Sequence, residues 1–152
     1  MDLSIIIINY NSAQLCLELV ESIYKFTHDL KYEILIVDNA STDNSLETLK
    51  YHSQKFILLK KKINKGFGAA NNYAFRHSNG KYILLLNPDT RLIENYPLKL
   101  IQAFQKLNSA SFVGGLNINE DGTPSKSYGN IHTIYSKFFK KYIDLLRIIY
   151  KK

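Results

Sequence analysis

The sequence predicts an α/β fold, a mainly parallel sheet with helices on both faces. Three observations carry that expectation. Short apolar runs recur at residues 3–8, 33–37, 56–59 and 82–86. Stretches with helical spacing of apolar residues separate them. The chain has 152 residues, 45% of them hydrophobic, which suits one domain with a substantial core. Strands that alternate with helices pair in parallel, because each helix carries the chain back across the sheet.

Residues 3–8 form a continuous β-branched run, as expected of a strand buried on both faces. Asn11–Ser12 then reads as a helix start, the serine oxygen accepting an orphan N–H. Leu15, Leu19, Ile23 and Phe26 follow as the apolar stripe of that helix. The second strand ends at Asp38–Asn39, and Thr42 precedes a helix containing Ser45, Leu46 and Leu49. The third strand is trailed by Lys60, Lys61 and Lys62. "NKGFGAANNYAFRHSNG" reads as a glycine-bearing turn and a helix stopped at Asn79–Gly80. After the fourth strand, Pro97 opens a helix reaching residue 107. A fifth strand is expected over 112–118, with a turn at Asp121–Gly122.

Composition narrows the class. A single cysteine, Cys16, excludes an internal disulfide and a cysteine-cluster zinc site. Its place in "AQLCLELVESIYKF" predicts a small buried hydrophobe, compatible with a reducing cytoplasm. The N-terminus lacks a basic n-region, and its apolar run is too short for a signal peptide. No run approaches the ~20 apolar residues of a membrane span. Net charge is +7, but residues 131–152 hold six basic side chains against one acidic, or +5 of it. The chain therefore divides into a nearly neutral domain, 1–130, and a basic segment, 131–152.

In a parallel α/β sheet, ligands bind beyond the carboxyl ends of the strands. Four such ends here carry polar side chains or glycines: Asn9-Tyr10-Asn11, Asp38-Asn39, Asn64-Lys65-Gly66 and Asn87-Pro88-Asp89. That is more than turns require and predicts a pocket for a polar ligand. Asp38 would accept from a base N–H or a ribose hydroxyl, or else cap the next helix, a task for which Ser41 and Thr42 are better placed. Asp43 suits the positive end of the second helix. "NKGFGAANN" lacks the Gly-Lys-Ser/Thr ending of a Walker A loop, and Asn71 breaks a Gly-x-Gly-x-x-Gly pattern. Gly66 and Gly68 then serve close backbone approach, and Asn71 and Asn72 hydrogen bonding to a ligand. Pro88 ends the fourth strand. An extended backbone would point Asn87 and Asp89 to one side, where they could hold a hard divalent cation; a plain Asn-Pro-Asp turn is the alternative.

Taken as an ordered set, "SIIIINYN", "ILIVDNASTD", "NKGFGAANN" and "YILLLNPDT" resemble the N-terminal half of the inverting nucleotide-sugar glycosyltransferases of family 2. They are most similar to the bacterial rhamnosyltransferase-like branch, which builds surface polysaccharides. The resemblance covers roughly residues 3–130. It implies a GT-A fold, Rossmann-like, and a UDP- or dTDP-sugar donor bound with Mg²⁺ or Mn²⁺. It implies that Asn9 and Tyr10 line the base pocket, with Asp38 on the base or ribose and Asn39 beside it. Gly66 and Asn72 lie near the nucleotide. Asn87 and Asp89 match the outer positions of an Asp-x-Asp motif, leaving Asp89 as the main protein ligand of the metal.

Family members continue into an acceptor-side region that supplies the general base. This chain shows no match to it, and neither Glu120 nor Asp121 fits that role. The expectation is a truncated form, or a half-site completed by another polypeptide, that turns over poorly alone. A non-catalytic sugar-nucleotide-binding module is the alternative. Residues 131–152 read as a basic amphipathic helix, either packed on the domain or held at an anionic membrane near a glycan or lipid-linked acceptor. That places the protein in the cytoplasm, with peripheral contact at the inner face of the membrane. The first strand lacks a dehydrogenase fingerprint, and no nucleic-acid reading motif accompanies the basic segment.

Overall fold

A computed structural model describes residues 1–107, 113–115, 118–119 and 123, and the backbone of 150–151. The elements are β1 (Leu3–Asn9), α1 (Ala13–Phe26), β2 (Tyr32–Asp38), α2 (Ser45–Tyr51), a 3₁₀ turn (Ser53–Lys55), β3 (Ile57–Lys60), α3 (Phe67–His77), β4 (Tyr82–Leu86), α4 (Tyr96–Lys106) and β5 (Tyr150–Lys151). The sheet order is β3-β2-β1-β4-β5. β1 pairs in parallel with both β2 and β4, and β2 with β3.

All seven residues of β1 are buried, because it has a strand on each edge and helices on each face. Leu3, Ile5 and Ile7 pack with α1, Leu49 of α2, and Leu100, Ile101 and Phe104 of α4. Ile6 and Ile8 pack on the opposite face with Ala70 and Ala74 of α3. The small alanines let α3 lie close against Leu35, Val37 and Ile83. The chain steps outward through β2 and β3 with its crossovers on one face. α3 lies on the other face and delivers β4 to the far side of β1. Reversing direction along the sheet while keeping right-handed crossovers requires that change of face.

The buried side of α1 is Ala13, Cys16, Leu19, Val20 and Ile23. The expected stripe is therefore corrected at its start: Leu15 is 41% exposed and Cys16 takes the inward position. Ser12 does not cap α1 with its side chain; its hydroxyl donates to Asn9 instead. Ser41 and Thr42 do not cap α2, whose first turn is met by Asp43 accepting from the Ser45 N–H at 2.9 Å. The Ser45 hydroxyl foremost, and then its N–H, hold the Asp43 carboxyl below its usual range.

Of the fifth strand expected over 112–118, residues 113–115 are irregular and Ile118 makes an isolated bridge; the rest lie outside the described residues. The expected C-terminal helix does not reach its end, because Tyr150–Lys151 pair antiparallel with Ile83 and Tyr82. The remainder of that segment, with Glu120 and Asp121, lies outside the described residues.

At the amino edge, Glu33 accepts from the Ser4 hydroxyl at 2.6 Å and from the Asn79 N–H at 2.5 Å. The Gly80 N–H donates to Ser4 Oγ at 2.7 Å. Gly80 is not the left-handed helix stop that Asn79–Gly80 suggested: α3 ends at Ser78 in extended geometry. Glycine is required for close approach, since a Cβ there would lie 2.3 Å from the Ser4 backbone nitrogen. Backbone cannot yield as a side chain can, so Gly80→Ala should cost about 2 kcal/mol or more. Urea unfolding followed by circular dichroism checks this, with Gly68→Ala, which meets nothing within 4 Å, as the comparison.

Candidate functional site

β1, β2, β3 and β4 all run the same way, so their carboxyl ends share one edge. The strand order reverses between β1 and β4, placing Asn9-Tyr10-Asn11 and Asn87-Pro88-Asp89 on either side of the switch point. The final β1–β2 register pair is Asn9 with Asp38.

Asn9 and Asp38 are 0% and 1% exposed. The Asn9 amide donates to Asp38 Oδ1 at 2.8 Å and to Ser41 Oγ at 3.0 Å. Ser41 donates its hydroxyl to Asp38 Oδ1 at 2.6 Å and its N–H to Oδ2 at 3.3 Å. Ala40 makes that return possible by taking a left-handed φ of 62°, unusual for a residue with a side chain. Asn11, also left-handed at φ 54°, accepts from the Thr42 N–H at 2.8 Å and so ties the β1 and β2 ends together. Asp38 therefore does not cap α2; it sits in a buried cluster with one oxygen saturated and Oδ2 lightly engaged.

Asn39 is 3% exposed and donates to Asn64 Oδ1 at 2.8 Å, which also accepts from the Gly66 N–H at 2.9 Å. Asn64 thus fixes the loop leading to α3, with Gly66 at φ 84°, open to ligand approach and demanding glycine. Among the described residues, Asn39 Oδ1 and Lys61 Nζ are buried without a hydrogen-bond partner. Asn72 faces solvent, whereas its neighbour Asn71 is buried and turned back onto the Phe67 carbonyl at 3.1 Å. Tyr10 presents its ring to solvent at 46% exposure.

Asn87, Pro88 and Asp89 form a turn, closed by the Thr90 N–H donating to the Asn87 carbonyl at 3.0 Å. The backbone is not extended there, so strand alternation does not direct the two side chains. Both are exposed, and neither makes a hydrogen bond or ion pair within the described residues. Arg91 clamps the turn, donating to the Pro88 carbonyl at 3.0 Å and the Thr90 carbonyl at 2.7 Å. It also pairs with Glu18 of α1, and that guanidinium, with Gln14, holds the Glu18 carboxyl below its usual range. Among the described residues no three His, Cys, Asp or Glu side chains converge as a metal cage. One carboxylate and one amide oxygen suit a cation that keeps waters and shares substrate phosphates.

Ser41, Asn64 and Arg91 were not singled out from the sequence as site residues. Ser41 left a local signal in the Asp-x-x-Ser spacing, and Asn64 in the Asn-x-Gly spacing, of side-chain-to-backbone turns. Asn64 and Arg91 also make local contacts, but their bonds to Asn39 and Glu18 form only in the folded chain.

Residues 4–150 match the family model for glycosyl transferase family 2. The chain belongs to that family. The glycosyltransferase domain is 31% identical over 134 residues to a poly(ribitol-phosphate) beta-glucosyltransferase of Bacillus spizizenii, covering 84% of this chain and 21% of that protein. It is 32% identical over 120 residues to a dolichyl-phosphate beta-glucosyltransferase of Saccharomyces cerevisiae, covering 72% and 36%. The chain thus spans about a fifth to about a third of the length of these two relatives. Among solved structures it resembles S. aureus TarS 1–349 in complex with UDP, at TM-score 0.57 and 28% identity, over 70% of this chain and 32% of that one. It shares its fold with a mannosyltransferase from Pyrobaculum calidifontis, TM-score 0.60 and 24% identity, over 73% and 33%. The sheet with helices on both faces is thus the GT-A-like arrangement that the motifs implied. No helix among the described residues is long and apolar enough to cross a membrane.

Cys16 lies beneath this edge, fully buried, its thiol 3.7 Å from Asn9 Oδ1. Burial above all pushes that thiol from 9.0 up to about 12. The thiolate is the reactive form, so a disulfide reagent should leave the native protein unmodified near neutral pH and titrate one thiol in urea. Its stability contribution is full below the unfolded value near 9.0 and is lost as pH climbs towards about 12, because the unfolded thiol then ionises first.

Proposed function

We propose that this domain is the nucleotide-sugar half of a glycosyltransferase. It would bind a UDP- or dTDP-sugar at the carboxyl edge of the sheet for inverting transfer to a glycan or lipid-linked acceptor. The observation that carries the reading is the pair Asn87 and Asp89. They sit at the switch point with side chains exposed and free of internal bonds among the described residues, on a turn that Arg91 fixes. A carboxylate left uncommitted on a fixed turn is available to a ligand. Similarity to TarS, solved with UDP, supports the nucleotide, and the motif resemblance to the rhamnosyltransferase-like branch supports dTDP as the second candidate.

In this reading Asp38 Oδ2 accepts from a base N–H or a ribose hydroxyl, and Tyr10 lays its exposed ring against the base. Asn39 closes the floor beside Asp38. Gly66 lets the backbone at the start of α3 approach the nucleotide, and Asn72 offers its amide from the same helix. Asn87 and Asp89 would hold Mg²⁺ or Mn²⁺ through oxygen. That cation supplies charge neutralisation for the leaving diphosphate. The acceptor hydroxyl must lose its proton to a base as it attacks the anomeric carbon. No described carboxylate is assigned that role, which favours a base from a further region and keeps a non-catalytic binding module as the second reading.

Calorimetric titration with UDP and dTDP, each with and without Mn²⁺, tests the reading. Mn²⁺ should strengthen binding by roughly tenfold or more, and Asp89→Ala should lose that gain while keeping its fold. The better nucleotide names the donor class. No binding to either nucleotide overturns the proposal. Steady sugar transfer by the chain alone would overturn the second reading.

We further propose that residues 131–152 hold the protein at an anionic membrane face. Co-sedimentation with vesicles containing phosphatidylserine should exceed that with neutral vesicles and fall as salt rises. Equal pelleting with both overturns the membrane contact.

A further inference from the structure

We propose that Asn9 and Ser41 are positioning residues that act through Asp38, holding its carboxylate so that only Oδ2 is offered to the nucleotide. This rests on the reading above, in which Asp38 meets the base or ribose. It moves Asn9 from the pocket lining to the layer beneath it.

The geometry fixes the direction of every bond in the cluster. Asn9 Oδ1 accepts from the Ser12 backbone N–H at 3.1 Å, and that group can only donate. The other end of the Asn9 amide is therefore its NH₂, and it faces Asp38 Oδ1 at 2.8 Å. The Ser12 hydroxyl at 3.1 Å and the Cys16 thiol at 3.7 Å add to the same Oδ1 and lock the orientation. Ser41 gives Asp38 Oδ1 a second donor at 2.6 Å. Oδ2 keeps one long bond, 3.3 Å from the Ser41 N–H, and has acceptor capacity left. No ion pair reaches Asp38 among the described residues, so neutral donors carry its charge at 1% exposure. Removing one donor would leave the carboxylate free to turn or draw in water.

An aspartate at position 9 keeps the shape and removes the donor. Two carboxylates would then face each other and share one proton, with one of them titrating well above the usual range. The other groups around the cluster are Cys16 from α1, Arg91 from the β4 turn, whose field reaches Cys16 as Asp38's does, and Lys60 beside Asp38 in the β2–β3 register. The Cys16 thiol, pushed up to about 12, stays neutral across the range of the test.

The experiment is calorimetric titration of the full chain with UDP at about pH 6, 7 and 8.5, bracketing carboxylate titration in a coupled pair. It compares wild type, Asn9→Asp, Ser41→Ala and Ser41→Thr, each checked for folding by thermal melting. Wild type corrects for titration of the nucleotide phosphate. Asn9→Asp should bind UDP roughly tenfold or more weakly at the high pH and regain most of that near pH 6, where the shared proton restores the donor. Ser41→Ala should weaken binding by roughly fivefold or more, and Ser41→Thr, which keeps the hydroxyl, should recover it. An Asn9→Asp profile parallel to wild type overturns the inference while leaving the nucleotide reading intact. If Asn9→Asp does not fold, the Ser41 pair decides, and equal affinities of Ser41→Ala and wild type overturn it. No UDP binding by wild type overturns the nucleotide reading and this inference with it.

Discussion

Leu3 to Asn9 run between two parallel neighbours and two helical layers, so β1 has no face or edge in solvent. Its isoleucines alternate between the α1/α2/α4 layer and the α3 layer, and each contributes about 1.5–3 kcal/mol by leaving water. A one-residue slip would exchange the two layers' partners, so the register is strongly held. Because β2 and β4 both pair with β1 in parallel, their carboxyl ends must arrive at the same edge. The polar groups at that edge are a consequence of how β1 is buried.

The two ends of the sheet use polar residues differently. At the amino edge, Ser4, Glu33, Asn79 and the Gly80 backbone satisfy one another and close the fold. At the carboxyl edge the groups separate by depth. Asn9, Asp38 and Asn39 are buried and braced, whereas Tyr10, Gly66, Asn72, Asn87 and Asp89 are exposed. The buried layer holds geometry and keeps acceptor capacity at Asp38 Oδ2, and the exposed layer remains available. Left-handed Ala40 belongs to the first layer: strain at one residue lets Ser41 reach back to Asp38. Such strain persists where the surrounding bonds over-determine it.

Arg91 connects the carboxyl edge to α1. It holds the Asn87–Asp89 turn by two carbonyls and reaches Glu18 on the helix. The ion pair is exposed, and exposed pairs contribute little to stability. Its value is positional, since the turn would otherwise be held by one internal hydrogen bond.

The alternation of apolar runs determined the strand–helix order, and the parallel sheet follows from it because short connections cannot return a chain any other way. Residues 82–86 were legible as β4 to the residue. So was the identity of the polar edge, because strand ends are read directly from where apolar runs stop. Local signals misled where a side chain had a long-range partner to choose instead. Ser12 and Ser41 look like caps, yet each bonds back three positions, to Asn9 and Asp38, and those two join across the sheet from nearly thirty positions apart. Gly80 looks like a helix stop, yet it is glycine because Ser4 passes beside it. Leu15 fits a helical stripe, but Cys16 is the side chain turned to the core. Only the tertiary structure decided which polar residues lie beneath the edge and which stay exposed on it. Spacing along a chain fixes which residues share a strand end, whereas depth depends on the layers packed above and below it.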